Sequence, residues 1–524
     1  TNVNAPLFSD PAAKQGGTYR LHIKSFPLTM RTVGPDSNGG FRGWLLGTTL
    51  ALLEMHPDTR EYLPSLASHW AFEPDNKTVY FKLDKEARWS DGVPVTTEDF
   101  AFMIEMMRSE NLHAPWYSDY YTNTISGITV YDKHTMAVHT KDPHNREELI
   151  QYVNLAPRPK HFYGGKIPED YVKRYNWKPE PTTGPYRVGK VKKGKFVSFE
   201  KVENWWGYNN HYYKNRYNVD TILLKVIRDD DIALKHFQKG DLDAFPMLFP
   251  SIWHHKARGK LYDNGYIHKA WLFNKTPQGA SGIWLNLNVP LLQNLNVRKG
   301  IGHALNFKKV IDQVLFGDYV RQETFGSGHG RYDNQTIKAP RYDIDQAISF
   351  FEEAGFKQLD KDGIRINEKG ERLSIELTYL TKMHNPRVVI LKEEAKKTGL
   401  EIELKLIEGA TGFKALLEKK FEMTLLMMSS SMIPHYWEYF HSVNAKPQTN
   451  NFTGYQDEVM DELIDAYDKE FDLDKKAELS QEIQQKISES YSVIPAFTVP
   501  FSRAAHWRWV HLPNKLGTGL SSDI

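Results

Sequence analysis

Hydrophobic and polar positions alternate along Thr18–Lys24, where Tyr19, Leu21 and Ile23 share one face, as in a half-buried strand. Val79–Leu83 repeats that pattern. After the turn Ser90-Asp91-Gly92 and Pro94, Thr97 reads as the N-cap of a helix reaching about Met107, with Glu98 and Asp99 in its first turn. Ile128–Tyr131 with Thr135–Thr140, and Tyr186–Val191 with Phe196–Val202, read as hairpins, and Thr221–Ile227 as a further strand. The first half is therefore strand-rich with mixed connections.

The second half changes rhythm. Leu373–Leu380 alternates as a strand, and Asn385 and Pro386 open a helix that Gly399 ends. Glu401–Ile407 alternates again, Phe413–Lys420 reads as a short helix, and Phe421–Met428 as a buried strand. That succession predicts a mainly parallel α/β lobe. Two amphipathic helices, about Gln456–Lys469 and Asp474–Tyr491, close it. The change of rhythm near 270–290 marks the main domain boundary.

Composition narrows the function classes. The 524 residues suggest several folding units. A net charge of +2 gives no field that selects for nucleic acid or an anionic membrane. No apolar run approaches the ~18–20 residues of a membrane helix. Cysteine is absent, which removes thiol catalysis, thiolate metal sites and disulfides, and suits an oxidising compartment such as the periplasm. Aromatic residues make up 13% of the chain, and Tyr and Trp suit the gripping of a wet ligand. The chain begins at Thr1, as after removal of a signal peptide.

Catalytic signatures are weak. Gly189–Lys195 has the spacing of a phosphate loop, but Phe196 stands where a magnesium-binding hydroxyl belongs, and the context is strand–turn–strand. Gly326-Ser-Gly-His-Gly330 reads as a mobile loop. Adjacent His254 and His255 point apart on any regular element and make a poor metal pair. No cofactor and no metal are expected.

One long ordered block does carry information. It comprises Leu66–Trp70, Asp75–Leu83 and Ala87–Phe100, and continues at Thr183-Gly-Pro-Tyr186, Asn204-Trp-Trp-Gly207, Lys239–Asp243, Leu285–Asn288 and Asn296–Arg298. It resembles the family 5 extracellular solute-binding proteins of bacterial ABC importers. Pro157–His161, Phe316–Arg321 and Ile494-Pro495 with Arg503–Trp507 place the resemblance nearest the YejA-like oligopeptide branch. The resemblance implies an α/β, two-lobe periplasmic binding protein fold (type II, cluster C-like) with an extra subdomain in the first lobe. Its implied partition is 1–44, the extra subdomain 45–182, and 183–275 in lobe one; 276–494 in lobe two; and a return to lobe one at 495–524. It further implies a non-enzymatic, monomeric, periplasmic receptor whose lobes close on an oligopeptide and present it to an inner-membrane ABC permease. An oligosaccharide receptor is the alternative, and a hydrolase with a dispersed site a remote one.

Peptide receptors of this family place an acid after a lobe-two strand to pair the peptide α-ammonium. Here that stretch reads Met427–Pro434 without a carboxylate, and Glu438 is the nearest substitute. The strand preceding Ser429, Ser430 and Ser431 places them, with His435, Tyr436, Trp437 and Glu438, at the ligand cleft. Trp284 and Asn286, at the expected lobe crossing, join them. Phe26 and the cluster Trp116, Tyr117, Tyr120 and Tyr121 are the expected contacts from lobe one.

Overall fold

The computed structural model describes residues 1–513 apart from 3, 248, 408 and 500. The chain divides into two compact units: Thr1–Met247, Ala257–Asn274 and Arg503–Ile524 form the first, Leu248–Lys256 and Lys275–Ser502 the second.

In the first unit, Thr18–Ile23 pairs in parallel with Thr221–Val226, which pairs antiparallel with Phe196–Lys201, and that strand with Tyr186–Lys192. The alternation seen in the sequence buries Val197, Phe199 and Leu224 against Met30, Phe41 and Leu45. The phosphate-loop-like stretch is the turn of a hairpin. A second sheet runs Ala67–Phe72, Thr78–Leu83, Thr135–Thr140, Ile125–Val130. Helix Thr97–Arg108 packs Phe100, Met103 and Met107 onto the same core as Phe81 and Val138. The N-cap of that helix is Thr96 rather than Thr97. Asp99 reaches back to accept the Thr96 N–H at 2.9 Å, a capping box that fixes the boundary one residue earlier. A third sheet places Phe501–Trp507 between Ala244–Pro246 and Ile267–Phe273.

The second unit is built on a five-stranded sheet in the order Glu401–Leu406, Ser374–Tyr379, Met423–Met427, Ser281–Leu285, Val493–Pro495. The first three are parallel, while Ser281–Leu285 runs antiparallel to both its neighbours. Helices Asn385–Lys396 and Gly409–Leu417 supply the crossovers that parallel strands require. Ser281–Leu285 is buried along its whole length, as a central strand covered on both faces must be. Helices Glu458–Lys469 and Leu473–Ser490 bury Met460, Ile464, Ile483 and Ile487 in the core that holds Trp284.

The return to the first unit falls at Arg503, eight residues beyond the 495 read from the sequence. Backbone pairing explains it: Val493–Pro495 joins the five-stranded sheet, and Phe497–Thr498 pairs with Val320–Arg321. The short excursion Leu248–Lys256 into the second unit is a further crossing that periodicity did not reveal. There His254 Nε2 sits 2.8 Å from Asp318 Oδ2, so this imidazole has a structural partner. No helix among the described residues is long and apolar enough to cross a membrane.

Candidate functional site

The chain leaves the second unit's sheet after Met427. Met428 still donates its N–H to Ala280 O at 2.9 Å, and beyond it Ser429–Ser431 turn away from the strand end. This turn, His435, Glu438 and Tyr439 form one wall of a cavity of about 240 Å³. Gly279, Phe325, Gly326 and His329 line it as well. Gly279 is required here, since a Cβ on it would lie 2.0 Å from Met428 O. Ligands of open α/β sheets sit beyond the carboxyl ends of strands, and this cavity occupies such a position.

The Gly326–Gly330 loop is pinned rather than free, contrary to its reading as a mobile loop. Gln278 and Ser327 exchange both backbone hydrogen bonds, at 2.7 and 2.9 Å. Asp333 Oδ2 accepts the N–H groups of Gly328 and His329 at 2.8 and 3.0 Å. His329 Nε2 lies 2.7 Å from Ser430 Oγ. His329 is the residue that sequence reasoning missed; the glycine spacing drew attention to the loop but not to its histidine.

Two titratable groups of the wall are displaced from their ordinary ranges. Burial raises the Glu438 carboxyl, against hydrogen bonds from Asn450 and Tyr439 that lower it. Asn450 Nδ2 donates to it at 3.4 Å. Desolvation by the surrounding protein pushes the His435 imidazole down to about 4, with smaller contributions from Lys476 and His329, although the residue stays exposed.

Several expected contacts belong to the core instead. Trp284 is fully buried, edge-on to Phe325 and Phe452. Asn286 is buried and donates to Lys419 O and Phe421 O at 3.1 and 2.8 Å, which holds a loop in place. Tyr436 is fully buried, its hydroxyl 2.7 Å from Ser480 Oγ and accepting from Gln484 Nε2 at 3.0 Å. Trp437, next along the chain, points outward with 45% of its surface exposed, beside His441 and away from the cavity lining. Periodicity cannot separate these neighbours, because 436–440 is a single helical turn with one face in and one face out.

In the first unit, Phe26 stacks on Trp177, with ring centroids 5.8 Å apart. Helix Pro115–Thr124 has no buried residue. Trp116, half exposed, lies parallel to Tyr120 at 5.2 Å, while the Tyr117 hydroxyl accepts from Arg42 and Tyr121 packs on the neighbouring core. A larger, open groove of about 710 Å³ includes Glu200, Lys201, Arg216 and Asp220. Its charges are of both signs and partly spent on internal partners, Arg216 on Glu54 and Lys201 on Gln15.

Comparison with known proteins adds independent observations. The sequence model of the bacterial extracellular solute-binding proteins, family 5 Middle, matches residues 61–451. The uncharacterized protein YejA of Escherichia coli is 21% identical over 97% of this chain and 88% of its own length. The oligopeptide-binding protein AppA of Bacillus subtilis, solved with a nonapeptide, superposes with a TM-score of 0.78 at 20% identity, covering 95% of each chain. A periplasmic oligopeptide-binding protein of Thermotoga maritima, solved with mannohexaose, gives 0.76 at 20% identity, covering 94% of this chain and 92% of its own.

Proposed function

The chain belongs to the family 5 bacterial extracellular solute-binding proteins, a receptor family rather than an enzyme family, and on that premise we propose a periplasmic receptor that captures an oligopeptide and delivers it to a membrane ABC importer. The similarity to the oligopeptide-binding protein AppA, solved with a nonapeptide, supports the ligand class. The observation that carries the reading is Glu438. Its carboxyl is raised by burial, lines a cavity beyond a strand end, and among the described residues is hydrogen-bonded to an amide and a phenol rather than paired with a cation. A buried carboxylate left without a counter-ion is costly, and an incoming ammonium restores the pairing. Glu438 thus takes over the ammonium anchor that is absent from Met427–Pro434, and Ser429–Ser431 offer small hydroxyls and accessible backbone to the rest of the ligand.

Titration calorimetry against free and N-acetylated peptides tests this, with oligosaccharides in the same panel. Free peptides bind the wild-type protein, and Glu438→Gln weakens them about tenfold, ~1.4 kcal/mol, without changing the affinity of acetylated ones. Binding of oligosaccharides alone refutes the peptide reading, and equal affinities for free and acetylated peptides refute the role of Glu438.

A further inference from the structure

Two side chains of the second unit's cavity and a third behind them form a connected series of hydrogen-bonding groups. Ser430 Oγ lies 2.7 Å from His329 Nε2, and His329 Nδ1 lies 3.2 Å from Asp333 Oδ1. The side chains of His329 and Asp333 are 2% and 10% exposed. Two backbone N–H groups hold the other oxygen of Asp333, so the carboxylate cannot swing away from the ring. With its Nδ1–H donated to the Asp333 side chain, His329 turns its Nε2 lone pair toward the Ser430 hydroxyl. The other acceptor within reach of that hydroxyl, Ser431 O, is farther off at 3.2 Å.

A nucleophile, a base within hydrogen-bond reach of it, and a third group orienting the base together make the constellation of acyl-transfer enzymes, which is recognised by geometry and not by chain order. Such sites also need a donor for the developing oxyanion, commonly the backbone N–H that follows the nucleophile. Among the described residues, the N–H groups of Ser431 and Met432 make no hydrogen bond. Ser430 and His329 both line the cavity, so a carbonyl seated there meets the hydroxyl directly.

We propose that Ser430 is a nucleophile and that this receptor carries a slow acyl-transfer activity toward carboxylic esters bound in that cavity. Ser430 Oγ bonds to the ester carbonyl carbon as its proton passes to His329 Nε2, and the Ser431 N–H steadies the oxyanion. The carbon–oxygen bond to the alcohol then breaks, and His329 returns the proton to the departing alkoxide. Water, deprotonated in turn by His329, attacks the acyl-Ser430 carbonyl. The carboxylic acid leaves, and the proton goes back to Ser430. Ester and water give acid and alcohol, with no other reactant. Asp333 is a positioning residue that fixes the tautomer of His329.

The test treats the full chain with a fluorophosphonate probe, locates the adduct by peptide mass spectrometry, and follows hydrolysis of p-nitrophenyl butyrate. One probe per chain is expected, on Ser430. Ser430→Ala should lose it and reduce ester turnover to the uncatalysed background. Asp333→Asn should slow labelling at least 100-fold and change its pH profile, with Asp333→Glu restoring part of the rate. A wild-type chain that stays unlabelled, or whose adduct maps to a residue other than Ser430, overturns the proposal without depending on any variant's stability. Asp333→Asn labelled at the wild-type rate and pH profile overturns the positioning role. Peptide binding measured on the same wild-type preparation separates this proposal from the receptor reading: binding without labelling refutes only the nucleophile, and labelling without binding only the peptide receptor.

Discussion

Burial raises the Glu438 carboxyl above the ordinary value of 4.5, so the folded state favours its protonated form. A group shifted upward contributes stability that is fully present below the unfolded value and is lost as pH rises through the folded one. At neutral pH the ionised side chain therefore strains the unliganded protein. Glu438→Gln should raise the melting midpoint of the free protein at pH 7 and leave it nearly unchanged at pH 4, as read by scanning calorimetry at both values. A midpoint that falls equally at both would show a packing role instead. At this scale the sequence was legible where chemistry is local. The serine run and Glu438 follow a strand end, and the structure brings them to one cavity. It was misleading where the face of a side chain decides. Trp284 and Tyr436 look like ligand contacts until the sheet and the helix Leu473–Ser490 cover them. His329 was invisible because its partners Asp333 and Ser430 lie four and 101 residues away, and only the fold brings the second into reach.

Helix Thr97–Arg108 shows how much a single carboxylate organises at the level of an element. Asp99 Oδ2 accepts the Thr96 N–H at 2.9 Å, and its Oδ1 accepts the Lys160 N–H at 3.0 Å, which ties the helix start to a segment 61 residues later. Asp99→Ala removes a cap and orphans two backbone donors, at a cost of about 2–3 kcal/mol. Glu98→Ala, beside it, breaks only the exposed pair with Lys160 and should cost under about 0.5 kcal/mol. Urea unfolding of both variants checks the contrast, and equal losses would refute it. Elements with strong alternation, such as Thr18–Ile23 and Glu401–Leu406, lie where their patterns put them, because period two or 3.6 is written in adjacent residues. Direction is not so written. That Ser281–Leu285 runs antiparallel beside Met423–Met427 follows from long-range pairing, which no local pattern encodes.

The whole molecule depends on its last described strand. Phe501–Trp507 lies in the middle of its sheet, Trp507 N donates to Asp243 O at 3.0 Å, and the Trp507 and Trp509 indoles donate to Phe237 O and Asp243 Oδ1 at 2.7 Å. A chain ending at Ser502 should therefore leave Ala244–Pro246 and Ile267–Phe273 without a shared partner. Limited proteolysis should then cut between 244 and 273 while the helices Glu458–Lys469 and Leu473–Ser490 stay protected. A cleavage map identical to that of the full chain would contradict this. The same long-range pairing sets a timetable for synthesis. Thr18–Ile23 must wait for Thr221–Val226, about 200 residues later, which at ~5–20 residues per second is roughly 10–40 s of translation. Ala244–Pro246 waits longer still for its neighbour near the carboxyl end. The nascent chain thus spends most of its emergence with open strand edges, the form in which a chain most needs protection from pairing with its neighbours. The half of the molecule that is made first is the half that is finished last.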